Sequence, residues 1–414
     1  MPDYKCTRNQ NTIYIDSLSS YKSASHFIYC LKEAINQGYQ DIILDFEKVD
    51  ISFPNAVVPI SGLIDYYSST KNIDFVRIDS NKIISSSNLL DPLIVNNNID
   101  LLSYNSLNKV WKFQSYDEVY QLVKYYVEQL IQTDYFEEGV MSGIEWALNE
   151  VMDNVIQHSK TEFGYIMCQI HNNTKHIAIC IFDPGQGIFN SLKDSIFHPK
   201  SALDALTLAV KEGVTRDKKV GQGNGMYGLH EIVKNNLGTL TITSSSASYM
   251  LDSNKISSYE KVPVISFSEG TTAIDFQLDY KNKISLTDAL KFEGKSYNFV
   301  NYHLNSLENE TGEIEVKMLE KTGGYGTRKS GERIRMEIMN LFNESHKPIS
   351  LDFRGVGIIS SSYADELIGK LVIEFGFFGF NNIIRLKNMN ELVQSILQRS
   401  VSQRMAESLN KDNH

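Results

Sequence analysis

Three segments of sequence decide the fold of this chain: NEVMDNVIQHS at residues 149–159, DPGQGI at 183–188 and GQGNGMYGLHEIV at 221–233. Around the first segment, apolar residues recur at the spacing of one buried helix face: Ile144, Leu148, Val151 and Val155. Glu150 and Asn154 are four residues apart, so they lie one turn from each other on a neighbouring face. They are therefore placed to serve one ligand at the edge of a core.

The second segment ends an apolar run, HIAICIF, and predicts a strand that breaks into a turn at Asp183. Gly185 and Gly187 allow the backbone to approach a flat ligand where a side chain would collide. An Asp-Pro-Gly turn after a strand is also common without any ligand. Taken alone, this segment does not decide between the two interpretations.

The third segment contains a formal GxGxxG within its cluster of Gly221, Gly223, Gly225 and Gly228. A dinucleotide fingerprint needs a buried strand just before it, whereas here the polar residues RDKK precede it. A Walker loop is excluded because the sequence has no GxxxxGK[ST]. The cluster therefore predicts a glycine lid, whose amides and following helix start face phosphates.

Together, the order and separation of the segments resemble the ATPase superfamily of gyrase-type topoisomerases, heat-shock chaperones, histidine kinases and mismatch-repair ATPases (GHKL). The resemblance implies ATP and Mg²⁺ as cofactors, with the glycine cluster around the phosphates. It implies that Asn154 is a ligand of the Mg²⁺ ion, whose coordination shell also contains phosphate oxygens. It implies that Glu150 takes the proton of the attacking water. It also implies that Asp183 accepts a hydrogen bond from the adenine amino group, with Thr271 or Thr272 beside it through water.

The flanking regions alternate strands and helices, which is typical of an α/β fold. Residues 351–367, LDFRGVGIISSSYADEL, resemble the STAS-like pattern, and residues 44–49 repeat its LDFxxV strand exit. We therefore expect a STAS-like domain at 281–414 and a divergent one at 1–105. Between them, residues 106–280 would form an α+β sandwich of the GHKL type.

Several uses of ATP remain open at this level. A sensor histidine kinase is disfavoured, since the predicted helix at 116–132 contains no histidine. In partner switching, a GHKL serine kinase phosphorylates a STAS domain, and that resemblance makes Ser360, Ser361 and Ser362 candidate phosphoacceptors. Helix capping is the simpler interpretation of any one serine. The prediction is an ATP-binding regulatory or signalling protein with weak ATP hydrolysis or serine phosphotransfer. The alternative is a non-catalytic ATP-gated scaffold or dimerising clamp.

Composition sets the remaining expectations. The net charge of −10 over 414 residues does not indicate nucleic-acid binding. The four cysteines show no metal-ligand spacing and no disulfide framework, and the start of the chain lacks the apolar core of a signal peptide. We expect a cytoplasmic protein without a membrane span. Its STAS-like domains would bind a protein partner, and a homodimer remains open.

Overall fold

The structure, a computed structural model, describes residues 5–95, 107–214, 224–262, 270–296, 301–321 and 323–411, with side chains to residue 406. It divides into two compact units. The N-terminal unit comprises the described residues up to 126 and from 143 to 296. The C-terminal unit comprises residues 127–142 and the described residues from 301 onward.

The N-terminal unit begins with a four-stranded sheet in the order β1 (Cys6–Asn9), β2 (Thr12–Ile15), β3 (Asp41–Asp45) and β4 (Asp74–Arg77). The β1–β2 pair is antiparallel, and β2, β3 and β4 run parallel. The connecting helices are α1 (Lys22–Asn36) and α2 (Pro54–Lys71), and α3 (Lys82–Ser87) follows β4. Helix α2 begins with a proline, whose fixed φ suits a first turn, and ends at Asn72 in the left-handed conformation.

The second sheet of this unit has eight strands among the described residues: β5 (Leu93–Ile94), β6 (Trp111–Phe113), β7 (Gly164–His171), β8 (His176–Asp183), β9 (Thr239–Ser244), β10 (Ala247–Asp252), β11 (Lys255–Glu260) and β12 (Thr272–Asp279). Their spatial order is β11-β10-β9-β12-β8-β7-β6-β5. Every neighbouring pair is antiparallel except β5–β6. A short hairpin, β13 (Lys291–Phe292) and β14 (Lys295–Ser296), comes later in the chain.

Further helices accompany this sheet: α4 (Tyr116–Leu130), α5 (Val140–His158), α6 (Gly187–Leu192), α7 (Ala202–Ala209), α8 (Gly225–Asn235) and α9 (Leu286–Ala289). Helices α4 and α5 each have one end in the C-terminal unit, because the unit boundaries fall inside them.

The two faces of the eight-stranded sheet have different neighbours. One face packs against α2, and its residues Phe182 and Ala273 belong to the same buried core as the first sheet. The contact is close: a Cβ on Gly62 of α2 would lie 2.5 Å from the Phe182 ring. Asp183 and Thr272 are the next residues along their strands, so their side chains point to the opposite face.

Polar contacts also join α2 to this sheet. Lys112 of β6 forms an ion pair with Asp65 at 2.6 Å, and the Tyr165 hydroxyl donates to the same carboxylate. Asn55, near the start of α2, donates from Nδ2 to Asp275 Oδ2 at 3.3 Å. The first region of the chain and the eight-stranded sheet therefore share one core and several polar links.

The C-terminal unit contains a parallel sheet of β15 (Ile314–Lys317), β16 (Ile349–Asp352) and β17 (Ile384–Lys387), in that order among the described residues. Helix α10 (Tyr302–Leu307) precedes the sheet, and α11 (Arg328–Ser345) connects β15 to β16. After β16 come α12 (Ser361–Ala364), a π-helical segment (Asp365–Gly369) and α13 (Lys370–Ile383). The unit ends with α14 (Glu391–Lys411). A 3-10 turn at Met318–Glu320 follows β15.

Residues 127–142 join this unit through side chains of α11. Asn340 is buried; its Oδ1 accepts from the Phe136 backbone at 2.8 Å, and its Nδ2 donates to the carbonyls of Ile131 and Asp134 at 2.8 Å. Glu344 accepts from the backbone N–H groups of Gly139 and Met141, both at 3.1 Å. Far-separated parts of the sequence therefore build one unit.

The predicted α/β class is confirmed, since helices pack on mixed and parallel sheets. Both flanking regions show the order strand, helix, strand, helix, strand around parallel strands. The division into domains at 1–105, 106–280 and 281–414 stays a prediction, as does the STAS-like assignment of the first region. Among the described residues, no helix is both long enough and apolar enough to cross a membrane.

Candidate functional site

A cavity of about 360 Å³ lies on the face of the eight-stranded sheet opposite α2. Its wall is formed by α5, the end of β8 with the turn that follows, β12, and the start of α8. The volume lies within the usual range for small-molecule sites. Six of the residues predicted from the sequence line it: Glu150, Asn154, Asp183, Gly187, Gly225 and Thr272.

Helix α5 supplies the acidic and amide groups of the cavity. Glu150, Asp153 and Asn154 all line it and are partly buried. Burial raises the pKa of the Glu150 carboxyl above its usual value, and the nearby charge of Asp153 raises it further. Burial also raises the pKa of Asp153. These carboxyl groups therefore hold protons more readily than exposed ones.

The turn after β8 is fixed against the end of α5. The Gln186 backbone N–H donates to the Ser159 carbonyl at 2.8 Å, and its side chain donates to the His158 carbonyl at 2.6 Å. A Cβ on Gly185 would lie 2.3 Å from the Ser159 carbonyl oxygen, so this close approach requires glycine. Gly187 has φ +74°, a conformation that also favours glycine.

Asp183 is the most deeply buried acid of the cavity, with 6% of its surface exposed. Burial raises the pKa of its carboxyl to about 7, and hydrogen bonds from the Gly185 backbone and the Thr272 hydroxyl oppose that rise. The Gly185 N–H lies 2.9 Å from Asp183 Oδ1. Thr272 is the cross-strand partner of Asp183, and its hydroxyl lies 3.3 Å from Ser244 Oγ.

The start of α8 closes the cavity beside α5. A Cβ on Gly225 would lie 2.6 Å from Glu150 Oε2 and 3.3 Å from Asn154 Nδ2. At Gly228 a Cβ would lie 2.1 Å from the Trp146 ring. The glycines therefore allow α8 to lie directly against the side chains of α5, with Gly225 beside the polar groups and Gly228 beside the Trp146 ring. The first N–H groups of a helix lack intrahelical acceptors, so this end of α8 offers donors to an anion.

The other predicted residues are placed as follows. Gly185 and Gly228 support the wall without lining it, and Thr271 is buried outside it. Gly221 and Gly223 lie outside the described residues. Sequence reasoning did not assign a role to several cavity residues: Trp146, Asp153, Asn224 and Phe292. The position of Asn224 between Gly223 and Gly225 could have predicted its place in the cavity wall. No local feature of the sequence predicts that Phe292 lies there.

The three candidate phosphoacceptor serines differ in the C-terminal unit. Ser360 caps α12, since its Oγ accepts from the Tyr363 N–H at 3.0 Å. Ser362 is partly buried and its Oγ lies 3.0 Å from that of Ser360. Ser361 is exposed at the first position of α12. The capping interpretation therefore holds for Ser360, and Ser361 is the accessible hydroxyl.

Comparison with known proteins bears on the C-terminal unit. Residues 330–394 match the family model described as "STAS-like domain of unknown function (DUF4325)". The chain contains a STAS-like domain. This confirms the STAS-like prediction for that stretch of the sequence. None of the curated proteins matches the chain.

Among solved structures, the mycobacterial sensor histidine kinase MprB is similar at 18% identity, covering 40% of this chain and 96% of that chain. Its TM-score of 0.22 is too low to support an inference about fold or function.

Proposed function

We propose that the cavity binds ATP with Mg²⁺, and that nucleotide binding controls the interaction of the STAS-like domain with a protein partner. The observation that carries the proposal is the convergence of Glu150, Asn154, Asp183 and Gly225 on one cavity. These residues come from separate segments of sequence, and each has the chemistry that one part of a nucleotide needs.

The phosphates would lie between α5 and the start of α8. Backbone N–H groups at a helix start favour an anion, and a side chain at Gly225 would take up space beside Glu150. No group of three or more His, Cys, Asp or Glu side chains suited to a metal occurs among the described residues. Mg²⁺ that binds together with a nucleotide needs few protein ligands, because phosphate oxygens and water supply the others. Asn154 would be the protein ligand here.

The adenine would lie against Asp183. An ionised carboxylate accepts a hydrogen bond from an exocyclic amino group, and a ligand donor would offset part of the cost of burying that charge. Thr272, the cross-strand neighbour, adds a hydroxyl that can both donate and accept. A guanine base would present a carbonyl in place of the amino group, so Asp183 would favour ATP over GTP.

Glu150 would act as the general base for slow ATP hydrolysis. Burial raises the pKa of the Glu150 carboxyl towards the pH of the cell. A carboxylate with a higher pKa is a stronger base, so it accepts a proton from the attacking water more readily. If the partner is regulated by ATP binding alone, as in a non-catalytic scaffold, purified protein would bind ATP tightly without turnover.

The decisive test is Mg²⁺-ATP binding by calorimetry to wild-type protein and to Asn154→Ala. Loss of a ligand at a charged site costs about 1.5–3 kcal/mol, so affinity should fall roughly 10–100-fold. The matched control is Asn149→Ala on the same helix, because Asn149 donates to the Glu145 carbonyl and does not line the cavity. Equal losses in both variants, or none in Asn154→Ala, would overturn the proposed site.

Serine phosphotransfer is a second candidate activity, favoured by the exposure of Ser361 next to the capping Ser360. The Ser361 oxygen would form the new P–O bond, the bond from the γ-phosphorus to the ADP oxygen would break, and the serine proton would leave to solvent or a base. Intact-mass measurement after incubation with Mg²⁺-ATP should show one added phosphate in wild type and none in Ser361→Ala. Labelling that persists in Asn154→Ala would point to a contaminating kinase.

A further inference from the structure

A second, much smaller cavity lies on the other face of the eight-stranded sheet, where the first region of the chain packs. Its volume is about 10 Å³, which holds one water-sized occupant. It belongs wholly to the N-terminal unit, and α1, α2, β8, β9 and β12 all contribute to it. Six of its lining residues carry side-chain oxygens: Tyr21, Ser25, Asn55, Thr241, Thr243 and Asp275.

Asp275 is the acidic group of this cavity, and only 7% of its surface is exposed. Its Oδ2 accepts from Asn55 Nδ2 at 3.3 Å. Among the described residues, neither Asp275 Oδ1 nor Asn55 Oδ1 has a hydrogen-bond partner. Two buried acceptor oxygens, one charged and one neutral, therefore border a cavity that has room for one small occupant.

No basic side chain among the described residues lines this cavity. The titratable groups that face Asp275 are the Tyr21 phenol, just before α1, and the Cys180 thiol on β8. Burial raises the pKa of the Asp275 carboxyl to about 7, and the hydrogen bond from Asn55 opposes that rise. A carboxylate buried without a counter-charge is strongly unfavourable, so it either takes up a proton or acquires a cation.

We propose that this cavity is a binding site for one monovalent cation of the size of sodium, held by Asp275 Oδ1, Asn55 Oδ1 and the neighbouring hydroxyl oxygens. The ligands are all hard oxygens, which suits an alkali cation. The single carboxylate balances a single positive charge, whereas a site for Ca²⁺ usually supplies several carboxylates around a larger space. A water molecule would fit the volume but would leave the carboxylate charge uncompensated.

The cation would join the two halves of the N-terminal unit. Its ligands come from α1 and α2 of the first region and from β9 and β12 of the eight-stranded sheet. Asp275 lies three residues beyond Thr272 and points to the opposite face of β12. The site is therefore structural and separate from the nucleotide cavity, and it does not depend on the function proposed above.

The test is the thermal midpoint of wild-type protein in sodium chloride and in choline chloride at equal ionic strength. A ligand that binds only the folded state raises stability by mass action, so sodium should raise the midpoint by about 2–4 °C. Because burial raises the pKa of Asp275 from 3.8 to about 7, the stability of the folded state in choline should fall as pH rises between those two values and should level off above about 7. Sodium should offset that loss, so its effect should be larger at pH 8 than at pH 6.

The variant Asp275→Asn removes the charge with little change in shape and should abolish the difference between the two salts. Asp183→Asn is the matched control: that carboxyl is buried on the opposite face of the same sheet with its pKa also raised to about 7. It should keep the sodium effect. Equal midpoints for wild type in the two salts at pH 8 would overturn the proposal, as would an unchanged sodium effect in Asp275→Asn.

Discussion

The two faces of the eight-stranded sheet use the same strands for different purposes. On one face, Phe182 and Ala273 belong to the core shared with α2, and Asp275 borders a cavity of about 10 Å³. On the other face, Asp183 and Thr272 border a cavity of about 360 Å³. Neighbouring residues of one strand thus alternate between packing in a core and bordering a cavity. Substitutions on the two faces should therefore separate stability from activity.

The largest expected effect is on the cavity face. Glu150→Gln keeps the shape of the side chain but removes its basicity, so ATP turnover should fall by about 10²–10⁴-fold with ATP affinity little changed. Steady-state ATPase measurement and calorimetry on the same preparations check both parts.

The Asn154→Ala variant supplies the background rate for that experiment, measured at an ATP concentration near the wild-type Kd, where a variant with roughly 10–100-fold lower affinity is mostly unoccupied. Wild-type turnover in Glu150→Gln would show that another group activates the water. A large fall in the thermal midpoint would show that the cavity face also carries packing energy, and the comparison of the faces would fail.

Two glycine-to-alanine changes compare the faces directly. Gly62→Ala places a methyl group 2.5 Å from the Phe182 ring inside a filled core, so we expect a loss of about 1–3 kcal/mol in the free energy of unfolding. Gly225→Ala places a methyl group 2.6 Å from Glu150 Oε2, which can move into the cavity. It should change stability by less than about 1 kcal/mol. Turnover should fall at least about tenfold, because the base is displaced.

Urea unfolding and ATPase assays on both variants measure this contrast. The expected pattern is an unstable protein with normal turnover per folded molecule for Gly62→Ala, and a stable protein with low turnover for Gly225→Ala. The reverse pattern, or equal loss of stability in both, would contradict the division of labour between the faces.

The smallest effect concerns pH. If the adenine amino group binds ionised Asp183, whose pKa is about 7, affinity should decline as pH falls through that value. The protonated fraction predicts roughly tenfold weaker binding at pH 6 than at pH 8. Adenosine is the suitable probe, since it carries no phosphate that titrates in this range. A flat profile in wild type, or the same slope in Asp183→Asn, would remove Asp183 from the adenine contact.

Local features of the sequence were enough to predict which residues meet along part of the cavity wall. Glu150 and Asn154 lie one turn apart on a helix, and helical spacing alone places both on the same cavity wall. The turn at Asp183 was equally visible, because a buried strand ends there. The STAS-like pattern at 351–367 was specific enough to be confirmed.

Long-range pairing explains what the sequence left open. Thr271 and Thr272 are adjacent, and only the register of β12 against Asp183 shows which one faces the cavity. The packing of α2 on the sheet, and the position of Phe292 in the cavity wall, depend on contacts between distant segments. Such contacts leave no periodic signal, so neither was predictable.

The interrupted course of the chain through the C-terminal unit limits how this protein can be divided or recombined. A fragment that begins at residue 301 would contain Asn340 and Glu344 but none of the backbone groups at 131–141 that they bind. Each buried polar group left unmet costs about 1–3 kcal/mol. Exchange of the whole C-terminal unit between genes would therefore need to carry two separate stretches of coding sequence, one for residues 127–142 and one for the residues from 301 onward.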